Sequence, residues 1–212
     1  MTALLGMIRH GRTAWNGDGR MTGRTDISLT EEGRAALIGY APPTELNGAQ
    51  WHVSPLVRAR QTAEILSAGG EPYPGSNAVK LDIEPRLIEM DFGDYEGRTL
   101  AELRNDPDAH MAENEDRGLD FLPPNGESPR MVFTRLQPFL TELGTAGGRH
   151  IGVAHKSVIR AIFANAYSWN MMGRPPVKLK WDQAHLFQVD DQGGIQPLQM
   201  NVPLIKKVMA TP

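Results

Sequence analysis

Three consecutive residues after the first apolar run have side chains suited to binding and transferring an anionic group. Residues 3–8 are apolar and of strand length, and Arg9, His10 and Gly11 follow them directly. In a parallel α/β sheet, ligands bind at the carboxyl edge of the strands, where these residues fall. Histidine can act as a nucleophile, and arginine presents a fork of donors to phosphate oxygens. Because such a tripeptide also arises by chance, its meaning depends on the motifs that accompany it.

Four further motifs follow, and one of them places a second histidine, His155, at the end of another apolar run. The five segments read RHGRTAWN at 9–16, GRTDISLTEEG at 23–33, SPLVRARQTA at 54–63, LIEMDFGDYEG at 87–97 and VAHKSVIR at 153–160. Together they resemble the histidine phosphatase superfamily, the phosphoglycerate mutase-like proteins, over residues 4–163. The resemblance implies a mainly parallel sheet flanked by helices, a phosphohistidine intermediate and no metal.

The resemblance also assigns the main catalytic residues. His10 is the nucleophile, and Glu89 is the general acid that protonates the leaving oxygen and then accepts a proton from water. Arg9, Arg58 and His155 would hold the phosphoryl oxygens, whose charge needs fixed cations and aligned donors during transfer. Neighbouring cations should lower the pKa of His10 and leave a neutral imidazole. Three other acidic residues, Asp91, Asp94 and Glu96, lie in the same segment as Glu89.

Other positions have weaker claims to the substrate. Gly11 would let phosphate approach the backbone, Asn16 fits a supporting phosphate donor, Gly23 belongs to the second motif, and His185 lies in a region that can face the site in this family. His52, His110 and His150 match no functional motif, and we expect structural or solvent roles for them. The family often has His-Gly where this chain has His155-Lys156, so Lys156 either adds positive charge near the phosphate or points outward.

Composition excludes several classes of protein and site. The formal net charge of -3 argues against a nucleic-acid binder held by a basic face, and the absence of cysteine excludes disulfides and thiolate metal sites. No stretch approaches the roughly 20 apolar residues that span a bilayer, and the first residues do not form a signal peptide. We therefore expect a cytoplasmic protein with a small phosphorylated substrate, no cofactor, no metal, and no nucleic-acid or membrane partner. A homodimer is left open.

Alternating strand-length runs and helical patterns predict an α/β fold, a three-layer arrangement with a mainly parallel sheet flanked by helices. We expect one domain, 1–212, with an insertion at about 105–127. Strands are predicted at 3–8, 50–53, 79–83 and 150–154, with a final hairpin of 186–189 and 195–199. Helices are predicted at 31–40, from Ser54-Pro55 to about 67, from a capping box at Thr99 and Glu102, from Ser128-Pro129 to about 143, and at 157–167.

The sequence favours a phosphomonoesterase and leaves two alternatives. A cofactor-dependent phosphoglycerate mutase would share the core but return the phosphate to its substrate, and mutases typically carry additional arginines in the insertion to hold a carboxylate. Residues 105–127 contain a single arginine, Arg117. A non-catalytic module that binds phosphorylated ligands would be favoured had His10 or Arg58 been replaced, and both are present.

Overall fold

The computed structural model describes residues 1–69 and 79–207. Their strands are β1 (Thr2–Arg9), β2 (Tyr40–Ala41), β3 (Gln50–Val53), β4 (Leu81–Ile83), β5 (Gly148–Ala154), β6 (Gln183–Asp190), β7 (Ile195–Pro203) and β8 (Ile205–Lys206). Their helices are α1 (Ala14–Gly17), α2 (Glu31–Ala35), α3 (Val57–Ser67), α4 (Leu100–Asn105), α5 (Met111–Glu115), α6 (Pro129–Ala146) and α7 (Lys156–Ala166).

Six strands form one mixed sheet in the order β4-β3-β5-β1-β6-β7, and β2 pairs with β8 in a separate ribbon. The first four strands of that order are parallel to one another, and β6 and β7 complete the sheet as an antiparallel hairpin. The carboxyl ends of β1 and β5 therefore lie side by side. The predicted fold class is confirmed, as is the closing hairpin.

Two apolar layers cover the two faces of the sheet. Side chains of β1 alternate between them, because successive residues of a strand point to opposite faces. Leu5 and Met7 pack with α6 and α7, whereas Ile8 packs in the cluster that includes residues of α3. Gly6 lies on the second face, where a Cβ would meet the side chain of Leu46 at 2.3 Å. This double covering explains why β1 is a continuous apolar run.

Two predicted helices begin or end elsewhere. The helix predicted for 31–40 ends at Ala35, because Gly39 takes a positive φ of 80° and Tyr40 pairs with Lys206 in the β2–β8 ribbon. The helix predicted from Ser54-Pro55 begins at Val57, and its N-cap residue makes no side-chain hydrogen bond. The capping box of Thr99 and Glu102 and the Ser128 cap are both confirmed.

The segment predicted as an insertion folds into short pieces. Beside α5 it contains single 3-10 turns at Pro107–Ala109 and Gly118–Asp120. Ala109 and Met111 pack with Tyr95 and Leu103 in a small third apolar cluster. Across residues 1–69 and 79–207, no helix has both the length and the apolar character required to cross a membrane.

Candidate active site

The two motif histidines meet because their strands are neighbours. Hydrogen bonding continues one residue past the end of β1, where the amide of His10 donates to the carbonyl of Ala154, the last residue of β5, at 3.0 Å. His155 follows immediately. The centroids of the two rings are 5.0 Å apart with the planes tilted by 55°. Backbone bonds of the sheet, and not loop packing, thus set the distance between these imidazoles.

His10 has one nitrogen bonded to the backbone and one with no partner among the residues that the structure describes. Its Nδ1 lies 2.7 Å from the carbonyl oxygen of Gly11, which can only accept, so Nδ1 carries the proton. The pKa of His10 lies well below its usual value because of burial and the positive charges of Arg9 and Arg58. The ring is therefore neutral at pH 7, and the lone pair of Nε2 is available.

His155 is fully buried and is held in the opposite sense. Its Nε2 lies 2.6 Å from Oγ of Ser54, and its buried Nδ1 has no partner in the described part of the chain. Because Ser54 Oγ accepts from the amide of Leu56 at 3.4 Å, its own proton is available for Nε2. Burial, followed by the proximity of His10 and the positive charge of Arg58, holds the pKa of His155 well below normal. The neutral ring then carries its proton on Nδ1, as a donor to a phosphoryl oxygen.

Arg58 is a cation with no exposed surface. Its Nη1 donates to the carbonyl of Thr25 at 2.9 Å and its Nη2 to that of Gly23 at 2.7 Å. Within residues 1–69 and 79–207, its buried Nε has no partner. The same holds for the buried Nε of Arg9, again among the described residues, and the Arg9 guanidinium lies 5.8 Å from the ring centre of Trp181. Burial lowers the pKa of both arginines, yet both stay charged at neutral pH.

Glu89 is the buried carboxyl of the site. Oε1 accepts from the amide of Met90 at 2.8 Å, and Oε2 accepts from the amide of Ser157 at 3.4 Å. Burial raises the pKa of Glu89, against the opposing effects of the Met90 amide and Arg58. A carboxyl with a raised pKa can hold the proton that a general acid must give.

The competing carboxylates of the same loop have other partners. Asp91 pairs with Arg24 at 3.2 Å, and Asp94 accepts from the side-chain NH₂ of Asn125 at 3.1 Å. Glu96 accepts from the backbone amides of residues 24 and 25. None of the three lines the cavity beside His10, whereas Glu89 does, among the residues that the structure describes.

That cavity has a volume of about 650 Å³ and is rich in positive charge. Its charged lining residues are Arg9, Arg20, Arg58, Lys156, Arg160, Glu89 and Glu115. Glu115 is already paired with Arg104 at 2.7 Å. Of the two positions left open for Lys156, the structure has the one that borders the cavity, with its ammonium 5.7 Å from the ring centre of Trp181. The insertion contributes Glu115, Gly118 and Phe121 to the lining.

The remaining predicted residues occupy different surroundings. Asn16 and Gly23 line the cavity, and Asn16 Oδ1 accepts from the amide of Thr13 at 3.3 Å, which leaves its NH₂ group for a ligand. Gly11 lines an adjoining second cavity, and a Cβ there would meet Leu37 at 3.0 Å, so packing also requires its small size. His185 is fully buried, lines neither cavity and accepts from the amide of Asn201 at 3.3 Å.

Sequence reasoning missed two hydroxyl groups that support these side chains. Thr62 Oγ1 accepts from the amide of Gly11 at 2.9 Å and donates to the carbonyl of Arg58 at 2.7 Å, which joins α3 to the residue after His10. Its spacing of four from Arg58 on a helix could have indicated this. The Ser54-Pro55 pair predicts the start of a helix, but the Ser54 hydroxyl bonds to Nε2 of His155 and the helix begins at Val57.

A family comparison matches most of the chain. The model of the histidine phosphatase superfamily, branch 1, covers residues 5–199. A 2,3-bisphosphoglycerate-dependent phosphoglycerate mutase of Mesorhizobium japonicum is 29% identical over 76% of this chain and 80% of its own length. Fructose-2,6-bisphosphatase TIGAR B of Danio rerio is 36% identical over 68% of this chain and 54% of its own length.

Solved structures share the fold over nearly the whole chain. A protein of Thermus thermophilus is similar with a TM-score of 0.65 and 28% identity, over 94% of this chain and 99% of its own. Mycobacterial glucosyl-3-phosphoglycerate phosphatase has a TM-score of 0.72 at 24% identity, over 94% of this chain and 99% of its own. The latter similarity concerns the fold.

Proposed function

Because this chain belongs to the histidine phosphatase superfamily, branch 1, we propose that it is a phosphomonoesterase that hydrolyses a small phosphorylated metabolite through a phosphohistidine on His10. The observation that carries the proposal is the neutral imidazole of His10, whose Nε2 has no partner among the described residues and which lies close enough to the guanidinium groups of Arg9 and Arg58 for their charges to lower its pKa. Such a site supplies both the nucleophile and the fixed positive charge that a phosphate dianion requires.

In the first half-reaction, Nε2 of His10 attacks phosphorus and the bond to the leaving alkoxide breaks. Glu89, whose pKa burial raises, gives its proton to that oxygen, so the product leaves as an alcohol. The free N–H groups of Arg58 and the Nδ1 proton of His155 bind the equatorial oxygens as their charge changes.

In the second half-reaction, the Glu89 carboxylate takes a proton from a water molecule as that water attacks phosphorus. The bond between phosphorus and Nε2 breaks, and the electron pair returns to His10. Inorganic phosphate leaves, and Glu89 is protonated again for the next cycle. The carbonyl of Gly11 holds the Nδ1 proton in both steps, so that the ring keeps the same nitrogen directed at phosphorus.

The charge of the cavity supports a substrate with a second acidic group. Arg9 and Arg58 suffice for the transferring phosphate. Of the other cations that line the cavity, Lys156 and Arg160 lie four residues apart on one face of α7. Among the described residues neither forms an ion pair, and each lies over a tryptophan, Trp181 and Trp169 respectively. A carboxylate or a second phosphate on the same molecule would fit these two cations.

The second candidate is a cofactor-dependent phosphoglycerate mutase, favoured by the name of the Mesorhizobium japonicum relative. The insertion weakens this candidate, because it lines the cavity with Glu115, Gly118 and Phe121 and offers no cation there. A non-catalytic binding module is disfavoured because the nucleophile, the acid and the cations all border one cavity.

Phosphate release from a panel of phosphorylated metabolites, with 3-phosphoglycerate and glycerol 3-phosphate as a matched pair, tests the proposal. We expect hydrolysis, with the carboxylate-bearing member preferred. Interconversion of 3- and 2-phosphoglycerate that depends on 2,3-bisphosphoglycerate and exceeds phosphate release would favour the mutase instead. Chelator should leave the rate unchanged, since arginines supply the positive charge, and a loss restored only by magnesium or zinc would contradict metal independence.

A further inference from the structure

A three-residue segment, 23–25, determines how the Arg58 guanidinium is oriented. The carbonyls of Gly23 and Thr25 accept from Nη2 and Nη1 at 2.7 and 2.9 Å. Each Nη keeps one further N–H, and with the unpartnered Nε these are the donors left for a phosphoryl group. The direction of these donors therefore depends on where the two carbonyls are held.

Glu96 holds the same segment from its amide side. Oε1 accepts from the amide of Arg24 at 2.7 Å, and Oε2 accepts from the amide of Thr25 at 3.0 Å and from its hydroxyl at 2.6 Å. The approach is close enough to require glycine at position 23, where φ is +53° and a Cβ would lie 1.8 Å from Oε1. One carboxylate thus fixes the peptide units whose carbonyls carry Arg58.

We propose that Glu96 is a positioning residue that orients Arg58 for the phosphoryl group through the segment 23–25. The inference rests on the proposed phosphatase function of the same site. A carboxylate paired directly with Arg58 would orient the guanidinium but also neutralise it. By acting through peptide groups, Glu96 orients the cation and leaves its charge and its remaining N–H groups for the substrate.

A double-mutant cycle tests this coupling, because interaction between two residues appears as non-additivity. Glu96→Gln places an NH₂ group against backbone donors, and we expect it to weaken inorganic phosphate binding and lower kcat/KM for nitrophenyl phosphate by roughly tenfold, the effect of about one hydrogen bond. In an Arg58→Gln background, the same substitution should change either quantity less than twofold. An equal loss in both backgrounds would overturn the proposal.

Glu102→Gln is the matched control. Glu102 accepts from the amide and hydroxyl of Thr99 at 2.6 and 2.9 Å, the same kind of contact, but it has no link to Arg58. We expect it to leave phosphate affinity unchanged, and a loss as large as that of Glu96→Gln would count against positioning. Thr25→Val, which removes only the 2.6 Å bond, serves if Glu96→Gln fails to fold, and the same cycle with Arg58→Gln applies. Phosphate affinity needs no turnover, so absent hydrolysis by the wild type would refute the phosphatase alone.

Discussion

The molecule contains two histidine pairs with similar ring separations and different hydrogen bonding. His10 and His155 lie 5.0 Å apart at the strand ends, and His52 and His150 lie 5.3 Å apart within the sheet. In the second pair the rings bond to each other, Nε2 of His52 to Nδ1 of His150 at 3.1 Å, and Nε2 of His150 donates to the carbonyl of Gly147. The first pair makes no such bond, and each ring is held by a separate anchor.

Neighbouring carboxylates repeat the contrast. Glu84 and Glu142, beside the second pair, share the guanidinium of Arg86, and hydrogen bonds to it hold the pKa of both carboxyls below normal. Glu89, beside the first pair, has no such partner among the described residues, and burial raises its pKa. The difference teaches that proximity of histidines does not make a site. A catalytic site also needs ring nitrogen atoms without hydrogen-bond partners and a carboxyl that can hold a proton.

Removing His10 should have the largest effect of any change to either pair. His10→Ala eliminates the nucleophile, so we expect turnover to be abolished and no acid-labile, base-stable phosphate to be trapped on rapid quenching. His150→Ala is the control from the other pair, and it should still form the phosphoenzyme. Equal labelling of wild type and His10→Ala would show that another residue carries the phosphoryl group.

The carboxyl contrast predicts the next largest effect. Glu89→Gln keeps the size but removes the proton, so phosphohistidine formation from alkyl phosphates should slow by roughly 10²-fold or more. Nitrophenyl phosphate should be much less affected, because its leaving group needs little protonation. Single-turnover measurements on both substrates, with Glu142→Gln as the matched control, make the test. An equal loss on both substrates would indicate a positioning role for Glu89 and move attention to Asp91.

The anchor of His155 predicts a smaller effect. Ser54→Ala removes the hydrogen bond at Nε2, which frees the ring to carry its proton on the wrong nitrogen, and we expect kcat/KM to fall about tenfold. Ser54→Thr, which keeps the hydroxyl, should recover most of that loss. If both variants lose the same activity, shape and not the hydrogen bond is the reason.

The pH dependence of the free energy of unfolding should show the smallest difference between the two histidine pairs. A buried histidine with a lowered pKa stays neutral while the unfolded chain binds a proton below about pH 6.5, so the free energy of unfolding falls as pH drops through that range. The pKa of His10 is lowered more than that of His52. His10→Gln should therefore remove up to about 1.4 kcal/mol per pH unit of this slope, and His52→Gln less, in urea titrations between pH 5 and 7. A larger loss of slope for His52→Gln than for His10→Gln would contradict the conclusion that burial lowers the pKa of His10 more than that of His52.

Local signals predicted much of this structure because their partners are close in sequence. The capping box at Thr99, the Ser128 cap and the apolar runs of β1 and β5 all belong to this class. The end of α2 could not be predicted, since Tyr40 leaves helical geometry to pair with Lys206. For the same reason Ser54 and Glu96 were missed, because their partners come from segments far away in the chain.

The family pattern predicted that His10, Glu89, Arg9 and Arg58 share one site, and these residues line one cavity. Their catalytic roles stay predictions. What the pattern could not supply is which nitrogen of each ring is free. That depends on a backbone carbonyl in one case and a serine hydroxyl in the other. Conversely, His185 has a sequence context that suggests substrate contact, but it is buried and lines neither cavity. Motif spacing does not show which residues of β6 are buried, so the sequence could not predict this.

The place of β1 in the sheet has a consequence for how the protein is made. Its two neighbours, β5 and β6, begin only at Gly148 and Gln183. At roughly 5–20 residues per second, the ribosome delivers them on the order of ten seconds after β1 has emerged. Until then a continuous apolar strand has no partner, which makes it a site for aggregation or chaperone binding. Newly made chains should therefore gain solubility and activity together, late in synthesis, when β1 closes the sheet.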